Sequence, residues 1–489
     1  MKPVSFSRIL SHWAARKPDA TALVLDEEAL TWSDIDARTN RLARAYADLG
    51  VKQDDFVTVG LPNSIAFVEA CFAIWKLGAT PQPVSHRLPD VELEAIVTLA
   101  DPALVIGALG KGSACPQLPP DFQPELSVSD EPLEERTSSR VKAVTSGGST
   151  GRPKLIVMPV PAQWDLSYRN LTVPHESTVL IPGPLYHNGP FLWMVSSLCQ
   201  GNRTVLMKKF DAERTLQLLQ NCAVEDVYMV PTMMQRIWNL PEAVRCSYDL
   251  SALKSLIHMA GPCPAWLKNA FIDWLGPDVI WEFYGGTEGQ AGTLISGGEW
   301  LKHRGSVGKP IAAMGEIKVL SDEGRELGPG EVGEIFMRPA GGPGSTYTYI
   351  GAEPRARDDG WESLGDMGFF DADGYLYLAD RRTDMIVSGG ANVYPAEVEA
   401  AIEEYPGIRS CAVIGLPHED MGNAVHAIID APGIEISEDA MLTFLRKRLV
   451  TYKLPRTVEF ASEPLRDDAG KVRRSALREA RISQPIVRN

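Results

Sequence analysis

In the first third of the chain, the spacing of apolar and polar residues alternates between two periods. Thr31 followed by Asp34 reads as a helix start, and Ile35, Leu42, Tyr46 and Leu49 then recur near helical spacing until Gly50 stops the run. Residues 57–61 form a short apolar run of strand type. Asn63 is placed to cap a second helix through Phe67, Cys71, Ile74 and Leu77, ending at Gly78. Residues 91–99 and 103–106 repeat the order helix, strand. Such alternation predicts a mostly parallel sheet covered by helices.

Residues 108–140 lose the periodicity and read as a loop rich in Gly, Ser, Pro and acidic residues. Strand-like runs return at 178–181, 204–207, 226–230 and 279–283, with helical stretches between several of them, which predicts a second α/β unit. Around 315–338 the texture turns β-rich, with strands at 316–320 and 334–337. Beyond Asp380 the remaining chain is long enough for a domain of its own, with strands at 412–414 and 427–429, a helix at 438–449 and a basic tail. The expected architecture is α/β: a large N-terminal domain of mostly parallel α/β sheets plus a β-rich subdomain, then a small mobile C-terminal α+β domain. No internal repeat is evident.

Length and composition agree with this division. At roughly 100–200 residues per domain, 489 residues predict three or four units. Hydrophobic residues at 44% and charged residues at 23% exclude disorder as a global state. The 48 basic and 63 acidic side chains leave a net charge of −15, so no overall field favours nucleic acid or an anionic membrane. Seven scattered cysteines show neither CxxC nor zinc-finger spacing, which predicts free thiols in a reducing compartment. The first residues lack an apolar signal-peptide core, and no run reaches the roughly 18 apolar residues of a membrane span. The expectation is a soluble cytoplasmic protein.

The strongest candidate chemistry is the run Thr145-Ser146-Gly147-Gly148-Ser149-Thr150-Gly151-Arg152-Pro153-Lys154, which follows a short apolar strand. Glycines let backbone N–H groups crowd an anion, hydroxyls add neutral donors and Lys154 adds charge. It is not a Walker A loop, because Lys154 is followed by Leu155 and the spacing differs. Further along stand Tyr284-Gly285-Gly286-Thr287-Glu288-Gly289, Leu364-Gly365-Asp366 and Asp380-Arg381-Arg382-Thr383-Asp384. Ser388-Gly389-Gly390-Ala391-Asn392-Val393-Tyr394-Pro395 and Asp468-Ala469-Gly470-Lys471-Val472-Arg473-Arg474 complete the series.

In type and order these segments resemble the signatures of the adenylate-forming superfamily of acyl-CoA synthetases, adenylation domains and luciferases, over essentially the whole chain. The resemblance implies that Ser146, Gly147, Gly148, Ser149, Thr150, Gly151 and Lys154 cradle the phosphates of ATP. It places Tyr284 and Gly285 with the loop Gly261-Pro262-Cys263 near adenine, Thr287 at a phosphate and Glu288 on Mg²⁺. Asp366 takes the ribose hydroxyls, Arg381 reaches ribose or phosphate, and Lys471 is the catalytic lysine. Ser388, Gly389 and Gly390 line the path of CoA, Thr383 is the hinge residue, and His187 gates the acyl pocket. The implied division is an ATP- and acyl-binding domain 1–380, a hinge 381–383 and a mobile domain 384–489. Chemistry alone supports the same groups: two anions must meet, so Lys154, Lys471 and a cation at Glu288 neutralise charge.

Some positions are ambiguous or depart from the pattern. Tyr228, Met229, Met233 and Met234 read more readily as core than as pocket lining, and Trp193 fits either. From Arg466 to Arg488, seven basic and three acidic side chains read as a solvated helix face, with contact to the 3′-phosphate of CoA as the alternative. Gly147 stands where the family commonly has a second hydroxyl, and Thr383 where Asp or Lys is frequent.

The leading expectation is an ATP-dependent ligase joining a small-molecule carboxylic acid to CoA through an acyl adenylate. The acid is expected to be bulky or medium- to long-chain and apolar. The alternatives are an enzyme specialised for thioesterification of a preformed adenylate, one loading a carrier protein, or a non-catalytic acyl-nucleotide binder. An α-amino acid is disfavoured because residues 186–191 hold no Asp. The expected partners are the acid, ATP and CoA, with no nucleic acid and no integral membrane association. Homodimerisation is common among such enzymes.

Overall fold

The computed structural model describes residues 3–107, 115–147, 153–168, 170–381, 384–388, 391–418, 420–466 and 471–482. Helices form where the sequence supplies both a cap and an apolar face. The helix Trp32–Asp48 begins at Thr31, whose hydroxyl accepts from the Asp34 amide while the Asp34 carboxylate accepts from the Thr31 amide. Ile35, Leu42 and Tyr46 on its inner side are buried in the main core. Gly50 then turns the chain away at φ 98°, a conformation that suits glycine.

The next helix, Ile65–Lys76, corrects the expected cap. Ser64, not Asn63, accepts the Phe67 amide. Asn63 is committed elsewhere: its buried amide nitrogen donates to the Gly183 and Met207 carbonyls, and its oxygen accepts from the Leu185 amide. It thus fastens the first unit to the segment just before Tyr186 and His187.

Strands Thr80–Pro83, Phe56–Val59, Leu104–Ile106 and Gln117–Leu118 lie in that order in a parallel sheet, as the alternation predicts. Among the described residues the largest sheet has thirteen strands. Pairing is parallel from Thr21–Leu25 through Arg203–Leu206, Thr178–Ile181, Asp226–Met229 and Ser255–His258 to Ile280–Gly285. Beyond it the pairing reverses, because residues 286–291 are too few for a crossover and the chain must fold back as the antiparallel strand Gly292–Ser296. Ser306–Pro310, Leu376–Arg381, Asp366–Phe370, Gly333–Pro339 and Gly315–Leu320 continue this antiparallel part. The β-rich region is therefore an extension of the parallel sheet, not a separate one.

A three-stranded ribbon stands apart. Ala143–Gly147 pairs antiparallel with Pro153–Val157, which pairs on its other side with Thr348–Ile350. From Ile386 onward a second sheet forms, with Ala391–Val393, Ile386–Ser388, Gly422–Asp430 and Ser410–His418 in order and Thr457–Phe460 alongside Gly422–Asp430. It has its own core of Val398, Ile402, Val413, Ala427, Ile429 and Leu445. The helix Glu438–Leu445 ends short of the expected residue 449, because the chain turns there toward Thr457–Phe460. No helix among the described residues is long and apolar enough to cross a membrane, and all seven cysteines are free thiols.

Asn63→Ala would leave three buried backbone groups without partners. Its unfolding free energy is expected to fall by about 3 kcal/mol, read as a lower urea midpoint at unchanged slope.

Candidate active site

The turn at which the large sheet reverses carries the carboxylate of interest. Tyr284 and Gly285 close the strand Ile280–Gly285, and a tight turn from the Gly286 carbonyl to the Gly289 amide sets Thr287 and Glu288 outside the sheet. A Cβ on Gly286 would meet the Leu364 side chain at 2.3 Å and Glu288 Oε2 at 2.9 Å, so the glycine leaves room for both side chains beside the turn. Glu288 is 7% exposed.

A carboxylate in that position needs partners. Lys154, on the ribbon strand Pro153–Val157, brings Nζ to 3.7 Å from Glu288 Oε1. Tyr349, on the neighbouring strand, donates its phenolic hydrogen to the same Oε1 at 2.6 Å, and its ring centroid lies 3.8 Å from Lys154 Nζ. Burial, then the hydrogen bond to Glu288, pushes the Tyr349 phenol above its usual range, so it stays a donor. A second cation stands close by. Lys142, 3% exposed, donates to Asn188 Oδ1, and burial pushes its ammonium down to about 7 although Glu288 pulls the other way.

The other expected nucleotide groups assemble through the hairpin that follows. Asp366 and Arg381 are paired residues of its antiparallel ladder, and Tyr284 donates to Asp366 Oδ2 at 2.8 Å. Ala260, in the left-handed region at φ 71°, leads into Gly261, Pro262 and Cys263. Gly261 and Pro262 are exposed and Cys263 is half-buried. Burial first, then Glu282, pushes the Cys263 thiol up, and Glu403 adds to that push.

His187 stands at the N-cap position of the helix Asn188–Cys199 without a side-chain capping bond, and its ring lies 4.3 Å from that of Tyr186. Gly189 is required there, since a side chain would meet the Tyr228 hydroxyl at 2.6 Å. Tyr228, Met229, Met233 and Met234 are buried in the main core, the favoured reading, and Trp193 donates to Asp226 Oδ1 at 2.7 Å.

In the second unit, Lys471 is exposed beside the bridge between Arg466 and Val472. Ser388 is buried in its strand. Arg474 donates to Asp384 Oδ2 at 3.0 Å and to both oxygens of Glu399, while Arg481 pairs with Glu459. These two arginines of the basic tail are therefore engaged within the unit rather than presented to solvent.

Gly148, Ser149, Thr150, Gly151, Thr383, Gly389 and Gly390 lie outside the described residues, and the backbones of Ser146, Gly147 and Arg381 are described only as parts of strands. The sequence reading missed Tyr349 and Lys142. Lys142 had a usable signal, a charge inside the apolar run Val141-Lys142-Ala143-Val144. Tyr349 had none, because its role arises from strand pairing alone.

Comparison with known proteins adds to this geometry. Residues 10–349 match the family model of AMP-binding enzymes, and residues 397–471 match the AMP-binding enzyme C-terminal domain. A feruloyl-CoA synthase of Amycolatopsis sp is 32% identical over 96% of this chain and 98% of its own length. The long-chain-fatty-acid–CoA ligase FadD13 of Mycobacterium tuberculosis is 30% identical, over 92% of this chain and 93% of its own. Among solved structures, the Bacillus subtilis o-succinylbenzoate coenzyme A synthetase MenE, in complex with ATP and magnesium ion, superposes with a TM-score of 0.81 at 24% identity, over 97% of this chain and 99% of that one.

Lys142 has a measurable signature. Its folded pKa near 7 lies below the ordinary lysine value of about 10.4, so the penalty of burying the ammonium is full below about pH 7 and fades as pH rises to the ordinary value. Lys142→Met is expected to raise the unfolding free energy by about 1–3 kcal/mol near neutral pH and by progressively less toward alkaline pH, in melts across that range.

Proposed function

The chain belongs to the family of AMP-binding enzymes, and we propose that it is an ATP-dependent ligase joining a bulky or medium- to long-chain apolar carboxylic acid to CoA. It is an acid–thiol ligase. The observation that carries the mechanistic reading is the cluster of Lys154, Glu288 and Tyr349.

In the first half-reaction the substrate carboxylate attacks the α-phosphorus of ATP, the bond to the bridging oxygen breaks and pyrophosphate leaves with the electron pair. Lys154 neutralises phosphate charge, and Lys471 does the same at the reacting carboxylate and α-phosphate. Glu288 suits Mg²⁺, which takes one or two protein carboxylates and completes its shell with phosphate oxygens and water. When bound, the ion supplies positive charge to the phosphates. Asp366 accepts from the ribose hydroxyls, and its hydrogen bond from Tyr284 sets the aromatic ring for adenine. Arg381, opposite Asp366, adds a guanidinium for ribose or phosphate oxygens. In the second half-reaction the thiolate of CoA attacks the mixed anhydride and AMP leaves.

The unit carrying Lys471 also carries Ser388, Gly389 and Gly390. The reading therefore includes a division into 1–380 and 384–489, with rotation about 381–383 exchanging the lysine for the CoA path. The relatives named for feruloyl-CoA and for long-chain fatty acids support an acid with a large apolar body. His187, beside Tyr186 at the head of its helix, gates that acid. A reducing cytoplasm, where ATP and CoA are at hand and seven thiols stay free, and a homodimer belong to the same proposal.

Purified protein is expected to release pyrophosphate only with acid present, and to form thioester when CoA is added, from a panel of fatty, aryl and polycyclic acids. Preference for acetate over all of them would refute the substrate class. Lys471→Ala is expected to lower adenylate formation by at least about a hundredfold while sparing thioester formation from supplied adenylate. Equal loss of both steps would refute the rotating unit.

A further inference from the structure

We propose that Tyr349 is a positioning residue for the metal-binding carboxylate: its hydroxyl holds one oxygen of Glu288 and its ring carries Lys154, leaving the other oxygen open. The proposal rests on reading Glu288 as the carboxylate that takes Mg²⁺.

The geometry assigns Tyr349 both tasks at once. Its hydroxyl donates to Glu288 Oε1 at 2.6 Å, and its ring centroid lies 3.8 Å from Lys154 Nζ. The ammonium and the carboxylate are 3.7 Å apart, beyond a direct hydrogen bond. A lysine and a glutamate this close would otherwise close into a contact pair, with each charge satisfying the other instead of a ligand. Tyr349 offers each of them a substitute partner, a hydrogen-bond donor for the carboxylate and a π face for the ammonium. The second carboxylate oxygen, Oε2, faces Gly286, where a Cβ would stand only 2.9 Å away. The hydrogen bond on Oε1 thus decides which oxygen is available.

Tyr349 is itself held in place. Its strand pairs with the lysine's strand in the register Tyr349 to Ile156 and Ile350 to Leu155, so tyrosine and lysine sit on adjoining strands. Tyr347, just before the strand, packs edge-on against Tyr349 at 4.8 Å and donates to Glu362 Oε2 at 2.7 Å. Gln290, two residues past Glu288, donates to the same Glu362 oxygen at 2.8 Å. The strand is therefore braced against the turn that carries Glu288 by both tyrosines. Supporting residues of this kind govern metal affinity through the orientation of the ligand they hold.

The test uses the full-length protein with a non-hydrolysable ATP analogue, following Mn²⁺ binding by electron paramagnetic resonance, together with the Mg²⁺ dependence of pyrophosphate release. Tyr349→Phe keeps the ring and removes the hydroxyl. It is expected to weaken Mn²⁺ binding about tenfold and to raise the Mg²⁺ half-saturation point by a similar factor, with kcat at saturating Mg²⁺ nearly unchanged. Glu288→Asp keeps the charge but withdraws it from the hydroxyl. It is expected to show the same weakening, to which Tyr349→Phe adds nothing. Glu288→Gln is expected to abolish the site. If Glu288→Gln abolishes Mn²⁺ binding while Tyr349→Phe and Glu288→Asp bind it like the parent, the positioning role is overturned and the carboxylate's role stands. If Glu288→Gln binds Mn²⁺ like the parent, the metal reading itself fails and the proposal falls with it.

Discussion

Glu288 is a carboxylate withdrawn from water, and a polar group so placed needs fixed partners in place of its hydration. Lys154 and Tyr349 supply that replacement on Oε1, and Lys142 adds a more distant positive charge from a second strand start. The Lys154 and Tyr349 contacts both fall on the same carboxylate oxygen. The carboxylate also ties the three-stranded ribbon to the large sheet. Moving that ribbon would remove both Lys154 and Tyr349 from the carboxylate together, because their strands are one hydrogen-bonded unit.

The large sheet delivers Glu288 to this ribbon by reversing direction. Parallel strands bring their C-terminal ends to one edge, and a short return at 286–291 leaves the chain on that edge instead of carrying it across the sheet. The antiparallel strands that follow then bring Asp366 and Arg381 side by side, within reach of Tyr284 at the end of the last parallel strand. A single topological change thus gathers residues separated by about a hundred positions. Asn63 and Asn188 perform the corresponding joins for the segment around Tyr186 and His187, the first binding its entry to the N-terminal unit and the second binding its helix to Lys142.

Much of this was legible before any coordinates. Caps and apolar spacing placed the helix Trp32–Asp48 and the strand Thr178–Ile181, since local chemistry decides both. The motif residues Lys154, Glu288, Tyr284 and Asp366 were named from their segments alone, and they meet in two contacts, Lys154 with Glu288 and Tyr284 with Asp366. What escaped is what long-range pairing decides. Asn63 has the composition of a cap, yet three distant backbone groups claim it. The β-rich region reads as separate because sequence texture does not reveal which strand edge it joins. Tyr349 lies in a run of small and aromatic residues with no periodicity, and only its partner strand gives it a purpose.

The segments on either side of residues 382–383 are held by different means. Asp384 is tied through Arg474 to Glu399, so the residue that opens the second unit, its first helix and the segment just after Lys471 form one ion-paired body. On the other side, Leu376–Arg381 is fixed by ladders to Asp366–Phe370 and Ser306–Pro310. The chain is therefore held on both sides of residues 382–383, by ladders before them and by ion pairs after them. Electrostatic clasping thus does for Asp384 what strand pairing does for Arg381, each holding its residue to the helix or sheet it belongs to.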